Sequence, residues 1–394
     1  MEQQATTTAA APYLPDELIA EILSRLPARS RCRSKCVSRR WRRLITDPSP
    51  CFYFWTHYDG VQHRWDFVAT NGDGGQPHQV DSSLSFLPPH PRAGTGRRWR
   101  CSTPATGSSS CAAASPATGV APPQPAFYVV CNPATKEWVA LPQPSLEPGF
   151  DDFYTKTCRA ALGFDPSVSS HFHVFQLEES ERCYDHYVSA VEIYSSETGA
   201  WARKEKRWYR LTGHMAFFNG FLHLTTWENV LATVDVRGQT WRTIRVPYNG
   251  GYGSGFVSHS QGRLVYMDVR TRRMGALVIY VLEDYDSEWW TLKHKVSQVV
   301  LFGLGELPPD LEWNPTAGFH PTCHKVFFYD RPGRRLMSYD INEGRVRVVC
   351  TLGAVVWDEM HPFFLYVPLY SGKLDHQIQM SSSPIKASQA EIGS

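Results

Sequence analysis

The sequence predicts an α+β multidomain chain, with a small three-helix module first and then a mainly-β propeller of about six units. Three observations carry this expectation. Apolar residues recur at helical spacing from Leu14 to Leu26. Tryptophan recurs six residues after a polar turn. Two kinds of hairpin alternate along the rest of the chain.

The composition fits a globular protein of two or three domains: 394 residues, 42% hydrophobic and 20% charged. No apolar run approaches the ~20 residues of a membrane helix, so no membrane partner is expected. Residues 1–12 have neither a basic start nor an apolar core and read as a disordered tail rather than a secretory signal. The net charge of +2 is uneven. Between Tyr13 and Pro50 there are nine Arg or Lys against four Asp or Glu, an excess of +5, so the remainder sums to −3. The ten cysteines are irregularly spaced with no CxxC pair, which with no signal segment reads as reduced thiols in the cytoplasm and/or nucleus. Cys32 with Cys36, and His320 with Cys323 and His324, are near-neighbours, but neither group offers four ligands, and no metal or cofactor is expected.

The first module opens with LPDELIAEILSRLP (14–27). Leu14, Leu18, Ile19, Ile22, Leu23 and Leu26 share one helix face. Pro15 suits the first helical position, Asp16 and Glu17 complement the N-terminal end of the dipole, Arg25 the C-terminal end, and Pro27 stops the helix. Ser30 and Ser38 are expected N-caps of two further helices, to which Val37, Trp41, Leu44 and Ile45 give apolar side chains. Three short helices bury little core alone, so the exposed apolar face calls for a partner. Eight basic residues lie between Arg29 and Arg43 with no acid among them. The run is interleaved with the apolar face and holds one aromatic, so it reads as a solvated surface that favours an acidic partner, not as a nucleic-acid site.

From residue 57 to 371 the chain reads as short strands between Gly, Pro, Asn and Asp turns. Asn132 precedes Trp138, Ser195 precedes Trp201, Asp235 precedes Trp241 and Asp284 precedes Trp290, each by six residues. A fifth copy pairs Asp340 with Val346. Between these hairpins lie GFDPSVSSHFHVF (163–175), NGFLHL (219–224), QGRLVYM (261–267) and GFHPTCHKVFFY (318–329). Two hairpins per unit make a four-stranded sheet, and radial closure hides the sheet edges. The Trp separations of 63, 40 and 49 residues bracket the ~50-residue kelch period. The role expected of Trp138, Trp201, Trp241 and Trp290 is structural packing between units. One stretch breaks the pattern: residues 88–125 hold 17 Pro, Gly or Ser among 38 and read as a disordered or frame-disrupted insert where a strand is due. CSTPATGSSSC (101–111), shifted by two bases, is compatible with a strand of the missing kind. Residues 372–394 read as a second disordered tail.

The ordered segments LPDELIAEILSRLP and KCVSRRWRRLITDP (35–48) resemble an F-box, here residues 13–54. The resemblance implies docking on a Skp-type adaptor, and through it on a cullin, by Leu14, Pro15, Ile19, Ile22, Leu23, Leu26, Pro27, Val37 and Trp41. Arg31, Cys32 and Ser34 depart from it, being more polar than the family's second helix. Likewise CNPATKEWVALP (131–142), ALGFDPS (161–167), VEIYSSETGAW (191–201), VDVRGQTWRTIRVP (234–247) and YVLEDYDSEWWTLKH (280–294) resemble the plant F-box-associated domain. Together they imply a substrate-recruiting subunit of a ubiquitin ligase whose propeller holds a protein target not identifiable from sequence. Two other readings stand beside it: a propeller scaffold with a degenerate F-box, and a kelch-type propeller enzyme. The enzyme would need convergent ligands or paired carboxylates, and no phosphate loop, GxSxG elbow or His–carboxylate pattern is present, so no catalytic residue is assigned.

Overall fold

The computed structural model describes residues 19, 22, 23, 26, 30, 33, 34, 36–38, 41, 50–58, 62–70, 84–87, 99–102, 112–116, 128–145, 158–165, 168–182, 185–247, 255–270, 276–302, 316–330, 333–352 and 363–367. From residue 50 onward these form a mainly-β propeller. Its first sheet has three strands, β1 (Cys51–Tyr58), β2 (Gln62–Ala69) and β23 (Phe363–Tyr366), in the order β2-β1-β23. The next comprises β3 (Trp99–Ser102), β4 (Ala112–Pro116), β5 (Val129–Asn132) and β6 (Glu137–Ala140). The third runs from β7 (Cys158–Gly163) through β8 (His173–Arg182) and β9 (Asp185–Ser195) to β10 (Ala200–Glu205). The fourth holds β11 (Leu211–Phe218), β12 (Phe221–Thr226), β13 (Val230–Asp235) and β14 (Trp241–Arg245). The fifth holds β15 (Phe256–Ser260), β16 (Arg263–Arg270), β17 (Ala276–Asp284) and β18 (Trp289–Ser297), with the short helix α1 (Gln298–Phe302) after it. The last holds β19 (Thr316–Phe319), β20 (Lys325–Asp330), β21 (Arg335–Asp340) and β22 (Arg345–Thr351).

Against the expectation of about six kelch-like units, the described residues form five four-stranded blades and one three-stranded sheet. That sheet joins the two ends of the β region, since Cys51 pairs with Tyr366 and Phe54 with Phe363. Six hydrophobic clusters lie between neighbouring sheets, one at each seam. The ring is thus held by sheet-to-sheet burial all the way round, including the seam where β1 and β23 meet β19–β22 through Phe52, Phe327, Phe363 and Leu365.

The hairpins follow from their turns. Asn219 and Gly220 both adopt positive φ between β11 and β12, as do Gln261 and Gly262 between β15 and β16. Two such residues form the two-residue turn whose twist matches paired strands. In the second hairpin kind, Asp235 Oδ1 accepts the N–H groups of Gln239 and Thr240 at 2.7 and 3.0 Å, and Asp340 Oδ1 accepts those of Asn342 and Glu343 at 3.0 and 3.1 Å. A short acceptor side chain at that position therefore sets these two turns.

The stretch 88–125 corrects the expectation of an insert lacking a strand. It supplies β3 and β4, with Trp99–Ser102 opposite Pro116–Ala113, and Ala112–Ala114 opposite Cys131–Val129. Backbone N–H and C=O groups make these pairs, so a stretch rich in Ala and Ser joins a sheet whose neighbours already present a partner edge. Residues 103–111 and 117–127, the tails 1–12 and 372–394, and most of the N-terminal module lie outside the described residues.

Candidate functional site

Two regions are candidates for a docking site. In the N-terminal module, Ile19, Ile22 and Leu23 are helical, and the Leu26 N–H donates to the Leu23 carbonyl at 3.3 Å. Ile19 and Leu23, four residues apart on one face, are buried, whereas Ile22 remains 48% exposed. The N–H of Cys36 donates to the Arg33 carbonyl at 3.0 Å and that of Val37 to Ser34 at 3.1 Å, closing the second helical segment. Val37 stands 63% exposed in the turn that follows. Ser38 then accepts the Trp41 N–H on its Oγ at 3.0 Å, the N-cap its position predicts, while Ser30 is itself helical rather than a cap. Ser34, one of the polar departures, is buried, and its hydroxyl donates to the Ser30 carbonyl at 3.0 Å. Its polarity is therefore satisfied inside the module. Leu26 and Trp41 are half-buried. Leu14, Pro15, Pro27, Arg31 and Cys32 lie outside the described residues.

The repeat tryptophans reach across the seams in a way their spacing alone does not reveal. Trp201 Nε1 donates to the Pro142 carbonyl, beyond β6 of the preceding sheet, at 2.7 Å. Trp290 Nε1 donates to the Arg245 carbonyl, on β14 of the preceding sheet, at 2.8 Å. Trp138 packs in the cluster at the seam with the three-stranded sheet. Trp241 differs, for its indole turns back to the Gly238 carbonyl of its own hairpin at 2.9 Å. Its ring instead meets Trp208 edge-on, with centroids 4.5 Å apart.

At this seam, between β7–β10 and β11–β14, lies a groove of about 710 Å³. The β10–β11 connection and the β12–β13 turn form its rim, tied together where the Trp227 N–H donates to the Arg210 carbonyl at 3.0 Å. Lys206, Arg207, Arg210 and Arg242 line it against one acid, Glu228. The Arg207 guanidinium lies 4.2 Å from the centroid of the Tyr187 ring, and that of Arg210 lies 4.7 Å from Trp227.

Among the described residues no group of three or more His, Cys, Asp or Glu is placed to hold a metal ion. In the His320–Cys323–His324 group, His320 Nδ1 accepts the N–H groups of Thr322 and Cys323 at 3.3 and 3.2 Å, which makes it a turn cap. Burial pushes the Cys51 thiol up to about 12 and the Cys350 thiol up to about 11, so neither is a thiolate at neutral pH.

Residues 12–53 match the F-box domain, and residues 118–353, more than half of the chain, match the F-box protein At3g26010-like beta-propeller. The chain belongs to this family of F-box propeller proteins. The F-box propeller is 26% identical to F-box protein At5g49610 of Arabidopsis thaliana over 313 residues, covering 74% of this chain and 80% of that one. It is 25% identical to F-box protein At5g07610 of the same plant over 363 residues, covering 83% and 76%. A chain of a nidogen/laminin complex shares 8% identity with a TM-score of 0.39, covering 82% of the F-box propeller and 99% of that chain. Sequence spacing found the hairpins and the tryptophans of this protein. It missed the groove, because Arg207–Arg210 and Trp227 meet only through strand pairing.

Proposed function

We propose that this F-box propeller is the substrate-recruiting subunit of a Skp–cullin–F-box ubiquitin ligase. Its F-box docks on a Skp-type adaptor, and through it on a cullin, while the propeller holds the target protein. The observation that carries this reading is the union in one chain of an F-box at 12–53 and a β-propeller. Ile22 and Val37, apolar yet solvent-facing, support it from the structure, because burying each against an adaptor would contribute ~1.5–3 kcal/mol. The chain works by proximity, bringing a target to the reacting groups of other subunits, and is not itself an enzyme. It acts in the cytoplasm and/or nucleus, where such adaptors meet their targets.

Affinity capture of the tagged full chain tests this. Wild type is expected to retain a Skp-type adaptor and a cullin. Ile22→Asp with Val37→Asp, both at exposed positions, is expected to lose both proteins while keeping the wild-type melting profile; Leu14→Ala with Pro15→Ala should act likewise. A wild-type chain that retains neither protein overturns the reading.

A further inference from the structure

We infer that the groove at the β10–β11 connection is a docking site for an acidic, extended segment of a partner protein. The inference rests on the recruiting role proposed above and names the chemistry of what is recruited. Outside residues 13–50 the chain carries a net charge of −3, yet Lys206, Arg207 and Arg210 converge on this one groove against Glu228, with Arg242, which faces Asp286 at 3.5 Å, beside them. The concentration of positive charge is therefore local, and it opposes the charge of the rest of the β region. Two of the guanidinium groups rest on aromatic faces, Arg207 on Tyr187 and Arg210 on Trp227. Stacking restrains each group and reduces the freedom lost on pairing with a carboxylate, which a planar guanidinium grips through two parallel N–H donors. Trp227 is 48% exposed at the rim, so part of its surface beside the stacked guanidinium remains for an apolar side chain placed between the acids.

The place of the groove has a physical reason. At the neighbouring seams an indole donates across to the outer edge of the preceding sheet, Trp201 to Pro142 just beyond β6 and Trp290 to Arg245 on β14. At this seam Trp241 is bonded within its own turn, and buried Trp208, from the connecting segment, packs on it. The connection runs beside β9 instead, its Lys206 and Trp208 N–H groups donating to the Ser189 and Val188 carbonyls at 3.1 and 2.9 Å. That leaves Lys206, Arg207 and Arg210 exposed along a rim with a groove beside it. A single-stranded nucleic acid fits less well. Bases stack on open aromatic faces, and here Tyr187 and Trp227 each already carry a guanidinium on a face, while Trp208 is buried.

Fluorescence anisotropy on the full chain tests the inference with three labelled probes: a short peptide of Glu, Asp, Ser and Tyr, its counterpart with Lys for the acids, and an oligouridylate of matched charge. The acidic peptide is expected to bind at least about tenfold more tightly than the basic one, and more weakly as salt rises. Arg207→Glu with Arg210→Glu should weaken it at least about tenfold, whereas Lys295→Glu, exposed on β18, should leave it unchanged. If the charge-reversed chain does not fold, Arg207→Gln with Arg210→Gln keeps both stems and takes its place. Equal binding of the two peptides, an equal loss in Lys295→Glu, or binding of the oligouridylate alone overturns the inference, the last marking a nucleic-acid surface. Adaptor capture on the same samples separates the two proposals. Acidic-peptide binding by a chain that captures no adaptor sinks the ligase role and spares the groove. Capture without acidic preference does the reverse.

Discussion

At the scale of single residues, the seams depend on buried polar groups held in one protonation state. His223 on β12 is fully buried, with Nδ1 3.2 Å from the Ala216 carbonyl and Nε2 against the Tyr285 hydroxyl of the next sheet. Nδ1 therefore carries the proton and donates to the carbonyl, while the Tyr285 O–H donates to Nε2. Burial holds the imidazole down at about 4, and burial likewise lowers His173 to about 4. An unfolded histidine titrates near ~6.5, so below that value the unfolded chain binds protons that the folded one refuses. The contribution of His223 is whole above pH ~6.5 and drains away as the pH falls toward its folded value, with a total on the order of 3 kcal/mol. Urea midpoints at steps from neutral pH down to mildly acidic pH are expected to fall, and to fall less steeply in His223→Gln. Identical slopes in the two proteins would refute this role. Gly255 gives a second prediction at this scale. A Cβ there would stand 2.0 Å from the ring end of buried Tyr266, which itself packs on Trp290. Gly255→Ala should cost ~1–3 kcal/mol from overpacking, read as a lower urea midpoint, and an unchanged midpoint would show that the ring relaxes freely.

At the scale of the hairpin, the tryptophans turn a local repeat into a link between sheets. Seam four-to-five carries the Trp290 bond, the Arg245 N–H on Glu288 Oε2 at 3.1 Å, and the exposed Arg242–Asp286 pair at 3.5 Å. Replacing Trp290 with Phe keeps most of the ring contact but leaves the Arg245 carbonyl without its indole donor. The expected loss is ~1 kcal/mol or somewhat more, measured as a lower urea midpoint at unchanged slope. An unchanged midpoint would show that the bond adds nothing beyond packing. These hairpins were legible in the sequence because both of their determinants are local: a positive-φ pair such as Asn219–Gly220, or an acceptor such as Asp235, followed at fixed distance by Trp. The strands β3 and β4 were not legible, because their pairing is made by backbone groups opposite β5 and leaves no mark in side-chain pattern. In the F-box, helical spacing placed Ile19, Ile22 and Leu23 on one face but could not say that two turn inward and one outward. Ser34 reads only as a polar departure for the same reason, since nothing in its neighbourhood announces the bond to the Ser30 carbonyl.

At the scale of the whole molecule, what matters is closure, and closure is the least local feature of all. β23 completes the first sheet from the far end of the chain, and its Phe363 and Leu365 fill the last seam with Phe52 and Phe327. Tyr366 ties the same strand to the next blade, its O–H donating to Asn132 Oδ1 at 3.0 Å and its oxygen accepting the Ala134 N–H at 3.0 Å. Phe363, Leu365 and Tyr366 are all buried, and burying each contributes ~1.5–3 kcal/mol. Their sum rivals the ~5–15 kcal/mol net stability of an ordinary domain. A chain ending at Leu352 would also bare the edge of β1 to unplanned strand pairing. It is therefore expected to lose the cooperative thermal transition and to elute as aggregate on gel filtration. The milder Leu365→Ala should fold with a cost of ~2–5 kcal/mol, since the ring still closes over a cavity. A truncated chain that stays monomeric and melts with wild-type cooperativity would mean that the five complete blades are self-sufficient, and that the three-stranded sheet is an ornament rather than the closure of the ring.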